Sequence, residues 1–207
     1  MHLSQVENAP KVAQRHDFDF VPRRAEVDVA PAKSSDFSIL AEMANAKIPD
    51  VAVSGDFLEA FAGRDIDSIL AFRHRGKVVG GVAFLFLNEN GLDALLLGHL
   101  DFANPTERVL ARPIDDVAAI YTWATALDGR GILGLGNVAE HLSKRRFRFA
   151  DLYGRPNTED GRRLVQSVGF KPIAAFQDNL WIYERAWKRQ VQFPLAPSSN
   201  VIGYAHA

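Results

Sequence analysis

Between Gly129 and Gly136 the chain reads Gly-Arg-Gly-Ile-Leu-Gly-Leu-Gly, and no other stretch comes as close to a chemical signature. An apolar, strand-like run from Ala118 to Leu127 leads into it, and an amphipathic helix running to about Arg146 leads out. Glycines between a strand and a helix leave backbone N–H groups where the helix dipole favours negative charge, which suits a phosphate. Arg130 would add a charge-assisted contact. The alternative is architectural: the same glycines serve a tight strand-to-helix turn.

Further residues capable of chemistry lie downstream. A second strand, Phe147 to Tyr153, carries Tyr153 at its C-terminal end, and Asn157 then opens a helix that stops at Gly169-Phe170. Asn157 and Asp160 form a capping arrangement, and Gly169 suits a left-handed helix end. His99, Asp101 and Asp128 are candidate bases by residue type alone. His141 is read as exposed, and Lys144-Arg-Arg-Phe-Arg148 as either a solvated helix end or an anion contact. Tyr121 and Trp123 share one face of their strand and Thr122 the other, which assigns Trp123 to the core. No His pair has metal-ligand spacing and there is no cysteine, so no metal site is expected.

The run Gly129-x-Gly131-x-x-Gly134 also fits a dinucleotide-binding fingerprint, with Asp151 ~20 residues on where a ribose-binding acid belongs. Its position argues against that reading. It follows antiparallel-looking strands, with too little chain left for a doubly wound domain.

Composition narrows the partners. With 24 Lys plus Arg against 25 Asp plus Glu, the net charge of -1 provides no global field towards nucleic acid or an anionic membrane. Met1 to Glu7 has no apolar core of signal-peptide length, and Val82 to Leu87 is too short to span a bilayer. A cytoplasmic protein is expected.

The elements that must position these residues can be read in order. Residues 1–24 form an irregular lead-in, 25–184 a single α/β domain, and 185–207 a tail. Ala25 to Ala30 alternates as a strand. Helices follow Ser34-Ser35-Asp36 (Phe37, Leu40, Ala41, Ala44) and Ser54 (Phe57, Leu58, Phe61). Ile66 to Phe72 and Lys77 to Leu87 pair through Arg73-His-Arg-Gly76, and Gly80-Gly81 marks a bulge or a close backbone approach. Asn88 to Gly91 ends the second strand. Leu92 to Leu100 reads as a helix carrying His99, Asp101 to Asp116 as an irregular connection, and Ile173 to Phe176 with Leu180 to Glu184 as a final hairpin.

Taken together, the strand, the Gly-x-Gly turn into a helix, the strand ending Asp151-Leu-Tyr-Gly154, and Asn157 through Gly169-Phe170 resemble the GNAT superfamily of N-acyltransferases. The resemblance implies a mixed, mostly antiparallel, centrally split sheet with helices on both faces. It implies acetyl-CoA or another acyl-CoA as donor, its pyrophosphate on the amides of Gly131, Gly134, Leu135 and Gly136 with Arg130 beside them. The pantetheine would lie along Thr125, Ala126 and Leu127 and within reach of Asn157. A backbone N–H between Thr122 and Leu127 would meet the oxyanion, and the acyl group would pass directly to a primary amine of a small molecule or peptide.

Two positions depart from the pattern. Gly131 stands where Gln or Arg is usual, so Arg130 fills that role only with one extra loop residue. Val165 stands where a tyrosine acid is usual, which leaves Tyr153 as the candidate proton donor or, alternatively, as a structural tyrosine capping the strand end. Non-catalytic sensing of acyl-coenzyme A is the competing role. The acceptor would be set by the loops around Asn45 to Asp65 and by residues 88–116, and the final hairpin and tail offer a surface for a homodimer.

Overall fold

A computed structural model describes residues 26–49 and 51–185. The lead-in and all of the tail after Arg185 lie outside the described residues. Seven strands form one sheet in the order β1-β2-β3-β4-β5-β7-β6, built from β1 (Val27–Pro31), β2 (Ile69–His74), β3 (Lys77–Leu87), β4 (Ala119–Leu127), β5 (Asp151–Gly154), β6 (Lys171–Pro172) and β7 (Trp181–Tyr183). Every neighbouring pair is antiparallel except β4 and β5. The mixed, mostly antiparallel sheet is thus the one expected. It also overturns the dinucleotide reading, which needs a series of parallel strands; in addition, Asp151 Oδ1 accepts from the Arg185 backbone N–H at 2.8 Å.

Local chemistry explains the elements. Helix α1 (Ser34–Lys47) starts one residue earlier than the serines suggest: Asp36 reaches back to accept from Lys33 N–H at 2.7 Å, and Arg73 clamps the same carboxylate. Helix α2 (Gly55–Arg64) is capped by Ser54, whose hydroxyl accepts from Phe57 N–H at 3.1 Å. The β2–β3 hairpin turns on Arg75 and Gly76, with φ of 50° and 78°, a tighter turn than the four residues predicted. Ile66–Ser68 is a 3-10 turn and not part of the strand.

Asn88 does not merely end β3. Its side chain accepts from Gly91 N–H at 3.0 Å and starts α3 (Glu89–Leu96), which leaves His99 beyond the helix. Helix α4 (Leu135–His141) is shorter than the pattern implied. Phe147 lies in a 3-10 turn, fully buried, and not in a strand, because its ring packs on Phe86 at 4.7 Å. Helix α5 (Glu159–Ser167) ends at Gly169, whose φ of 97° is the left-handed stop expected. The last hairpin pairs Lys171 and Pro172 with Ile182 and Trp181, so β6 is earlier and shorter than predicted.

Each face of the sheet has its own core. Phe37, Leu40, Ala41, Leu58 and Phe61 of α1 and α2 pack with Ile69, Ala83, Leu85, Tyr121 and Tyr153 on one face. Val138, Ala139 and Leu142 of the α4 segment pack with Val27, Phe72, Phe84, Ile120, Leu152 and Tyr183 on the other.

Candidate functional site

The one parallel pair among the described strands is short. β4 and β5 run together from Ala119 opposite Asp151 to Thr122 opposite Gly154. There β5 stops, and the chain leaves through Arg155-Pro156, where proline can supply no ladder N–H. β4 continues to Leu127 with that edge open. Across β4, Ala83 opposes Ala124 and Phe84 opposes Thr122, which makes Trp123 a bulge residue with no partner on β3. Gly80 and Gly81 beside this segment permit close approach: a Cβ on Gly80 would lie 2.7 Å from the Ala126 carbonyl oxygen, and one on Gly81 2.6 Å from Leu40 Cδ2.

The opening leads into a cavity of about 480 Å³ between α4 and α5. The exposed Lys47, Asn157 and Asp160 and the half-buried Thr125 and Thr158 line it, together with the buried Phe84, Leu142 and Leu152 and the half-buried Val168 and Phe170. Asn157 is not the helix cap predicted. Thr158 takes that role, its hydroxyl accepting from Gly161 N–H at 3.0 Å, so the Asn157 amide is left at the cavity wall.

The glycine stretch is wound as a 3-10 helix over Gly129–Gly134, with Gly131 N–H donating to Asp128 O at 2.6 Å. Two of its glycines answer to packing, whereas Gly129, at φ 36°, has open space around it. A Cβ on Gly131 would sit 3.0 Å from the Val79 carbonyl oxygen, and one on Gly134 2.5 Å from the Phe72 ring and 2.9 Å from Val29. Leu135 lines the cavity, whereas Arg130, Gly131, Gly134 and Gly136 do not. Arg130 pairs with Glu26 at 2.9 Å on the surface. One cation of the cavity lining is Lys47, at the end of α1, with its Nζ 2.6 Å from Asp128.

Of the β4 residues singled out, Thr125 and Leu127 line the cavity and Ala126 turns to the α1 side. Trp123 stacks on Phe61 with centroids 5.6 Å apart, the core role foreseen for it. Tyr153 also turns away, because Leu152 and Gly154 take the cavity face and the pleat alternates. Burial pushes its hydroxyl up to about 12, and the carboxylates of Asp151 and Glu184 add to the shift; both lie away from the opening.

Tyr121, its register partner one strand over, lies on the same face and also outside the cavity lining, but has a different neighbour. Burial raises it too, to about 12, but the Arg155 guanidinium beside it opposes the shift. Arg155 lines the cavity, donates from Nε to Asp178 O at 3.0 Å and lies over the Phe102 ring, which in turn packs on Tyr121 at 4.6 Å. Sequence reasoning missed Arg155 and Lys47. The available signal was Arg155-Pro156 directly after the strand.

The remaining candidates lie elsewhere. His99 and Asp101 are away from the cavity lining, and Asp101 accepts from Ala103 and Asn104 N–H groups at 3.0 and 3.1 Å in a local turn. His141 is not exposed: its side chain is 9% accessible, with Nε2 2.8 Å from Asp67 Oδ1. Within the basic cluster Lys144 pairs with Asp67 at 3.4 Å and Arg146 with Asp65 at 2.5 Å, which makes both structural. Among the described residues no cluster suits a metal ion, and no helix is long and apolar enough to cross a membrane.

No protein-family model matches this chain, and no curated protein does. Solved structures match in architecture. The loading GNATL domain of CurA from Lyngbya majuscula aligns with a TM-score of 0.51 at 12% identity, over 76% of this chain and 97% of that one. Ard1 from Thermoplasma volcanium gives 0.48 at 12%, over 76% and 95%. Diaminobutyrate acetyltransferase EctA from Paenibacillus lautus, solved with L-2,4-diaminobutyric acid and coenzyme A, gives 0.46 at 14%, over 76% and 94%. At these identities the likeness is one of fold.

Proposed function

We propose that this chain, which has the GNAT fold, binds an acyl-coenzyme A in the opening between β4 and β5 and passes the acyl group to a primary amine. The observation that carries this is the single parallel pair that ends at Thr122 and Gly154, beside a bulge at Trp123 and above a cavity of about 480 Å³. In this reading the pantetheine lies along Thr125 and Leu127 and meets Asn157. The pyrophosphate sits outside Leu135, where Lys47 and Arg130 exchange exposed carboxylate partners for phosphate oxygens.

In the reaction the amine nitrogen attacks the thioester carbonyl. A C–N bond forms, the C–S bond breaks, the nitrogen gives up a proton to solvent, and the departing thiolate takes one up. The bulge leaves the Trp123 region of β4 with backbone groups outside the ladder, and an N–H there would stabilise the oxyanion by ~3 kcal/mol. We assign the thiolate proton to Tyr121 in place of Tyr153. A hydroxyl raised to about 12 is protonated at neutral pH, and Arg155 beside it would stabilise the phenolate formed on donation.

A non-catalytic acyl-coenzyme A-binding module is the second reading. It is favoured by the inner turns of α5, which present Leu164, Val165 and Val168 to the cavity and no proton donor. Calorimetric titration with coenzyme A, acetyl-coenzyme A and NAD tests the binding claim: saturable binding of the first two and none of NAD is expected. Absence of binding by either coenzyme A form ends it. Thiol release across a panel of primary amines then separates enzyme from sensor.

A further inference from the structure

The cavity does not stop where the strands close. Thr122 and Gly154 mark the closing point, yet the lining continues to Leu152, which pairs with Ile120 and Tyr183 below that point. This inner section lies over the closed part of the sheet. Phe84, Leu142, Leu152, Phe170 and Tyr183 line it, with Leu164 and Val168 of the α5 segment over them. The charged side chains of the lining, Lys47, Arg155 and Asp160, belong to the outer part, as do Thr125, Asn157 and Thr158.

A site with polar groups at its mouth and hydrocarbon at its inner end matches a ligand built the same way. Resting on the coenzyme A reading above, we infer that the inner section receives the hydrocarbon chain of the donor, so that the preferred acyl group has medium length and is not acetyl. An acetyl methyl would leave the inner walls facing a void, where they lose their contacts outright. Water gives little relief, because it needs two to four polar partners and the side chains of this section supply the Tyr183 hydroxyl alone. Val165 fits the same reading, since a tyrosine there would have put a hydroxyl at this wall. No residue of α5 itself is buried, so a chain lying beneath it would supply the packing the helix lacks.

The test is calorimetry on the full chain with coenzyme A and its acetyl, butanoyl, hexanoyl and octanoyl thioesters. Burial of a methylene provides about 0.8 kcal/mol, so each added methylene is expected to tighten binding by up to about fourfold until the section is full. Affinity that is flat or falls beyond acetyl, with coenzyme A itself still bound, overturns this inference and leaves the slot reading intact. Failure of every member of the series to bind overturns both. Val165→Trp provides an independent check at a half-buried position: the ratio of octanoyl to free coenzyme A affinity should drop towards one. An unchanged ratio places the chain elsewhere.

Discussion

On the face covered by α1 and α2, aromatic rings close over the sheet. Trp123 lies between Phe61 and Phe57, with centroids 5.6 and 5.9 Å away, and Phe102 packs on Tyr121 at 4.6 Å. On the opposite face the two helices differ from each other. Helix α4 buries Val138 and Ala139, is pinned through His141 to Asp67, and has the buried Arg185 guanidinium donating to the Leu142 carbonyl at 3.1 and 3.2 Å. Helix α5 buries no residue, and its ion pairs, Arg162 and Arg163 with Glu159, are internal to it. One sheet thus carries a face finished by packing and a face left open under a single helix. The second face also buries large side chains, Phe72, Phe84 and Phe147 among them, so the room for a ligand is confined to the part beneath α5.

The largest expected effect sets the faces against each other. Phe61→Ala removes a buried ring from the stack and should cost about 3–5 kcal/mol. Leu164→Ala trims a side chain that already borders the cavity, so few contacts are lost, and the cost should stay below about 1 kcal/mol. Urea unfolding of both variants measures this. Equal costs would mean that α5 is packed like α1 and α2, and the contrast would fail.

A second prediction asks whether the packed face contributes to the chemistry. Tyr121→Phe should lower kcat by about a hundredfold, with KM for the donor little changed, if its hydroxyl donates the proton. Tyr153→Phe removes a hydroxyl whose charged neighbours are Asp151 and Glu184 and not Arg155, and should leave kcat within about twofold, far below the ~10²-fold of a general acid. A reversed order would return the role to Tyr153 and require the strand end to rearrange on binding.

The order of strands and helices was legible because each carries its own local signal. Ser54 caps α2, Gly169 stops α5, and Gly80-Gly81 marks the close approach it suggested. What stayed hidden depends on partners far along the chain. The glycines of the loop look the same whether they face a phosphate or the Phe72 ring, and only the fold brings Phe72 and Val29 against Gly134. His141 looked solvated because Asp67 belongs to another element. For Tyr153 the difficulty was phase: a strand shifted by one residue would have turned it into the cavity. Asn157 and Thr158 are both good caps, and the helix begins after the second.

The smallest expected effect concerns the pin that α5 lacks. The hydrogen bond from His141, then opposed by burial and aided by the charges of His141 and Lys144, holds the Asp67 carboxyl below its usual value of 3.8. A carboxylate depressed in the folded state contributes stability that is full above its unfolded value and is lost as pH falls through the folded one. The stability gap between the native chain and Asp67→Asn should therefore shrink as pH is lowered below about 3.9, the unfolded reference for Asp. Hydrogen exchange localises the effect. Because the pin joins α4 to the turn before β2, amides of α4 should lose protection in Asp67→Asn at neutral pH while those of α5 do not. Equal loss in both helices would show that α5 is anchored through α4, and the openness of that face would then be a property of the pair and not of α5 alone.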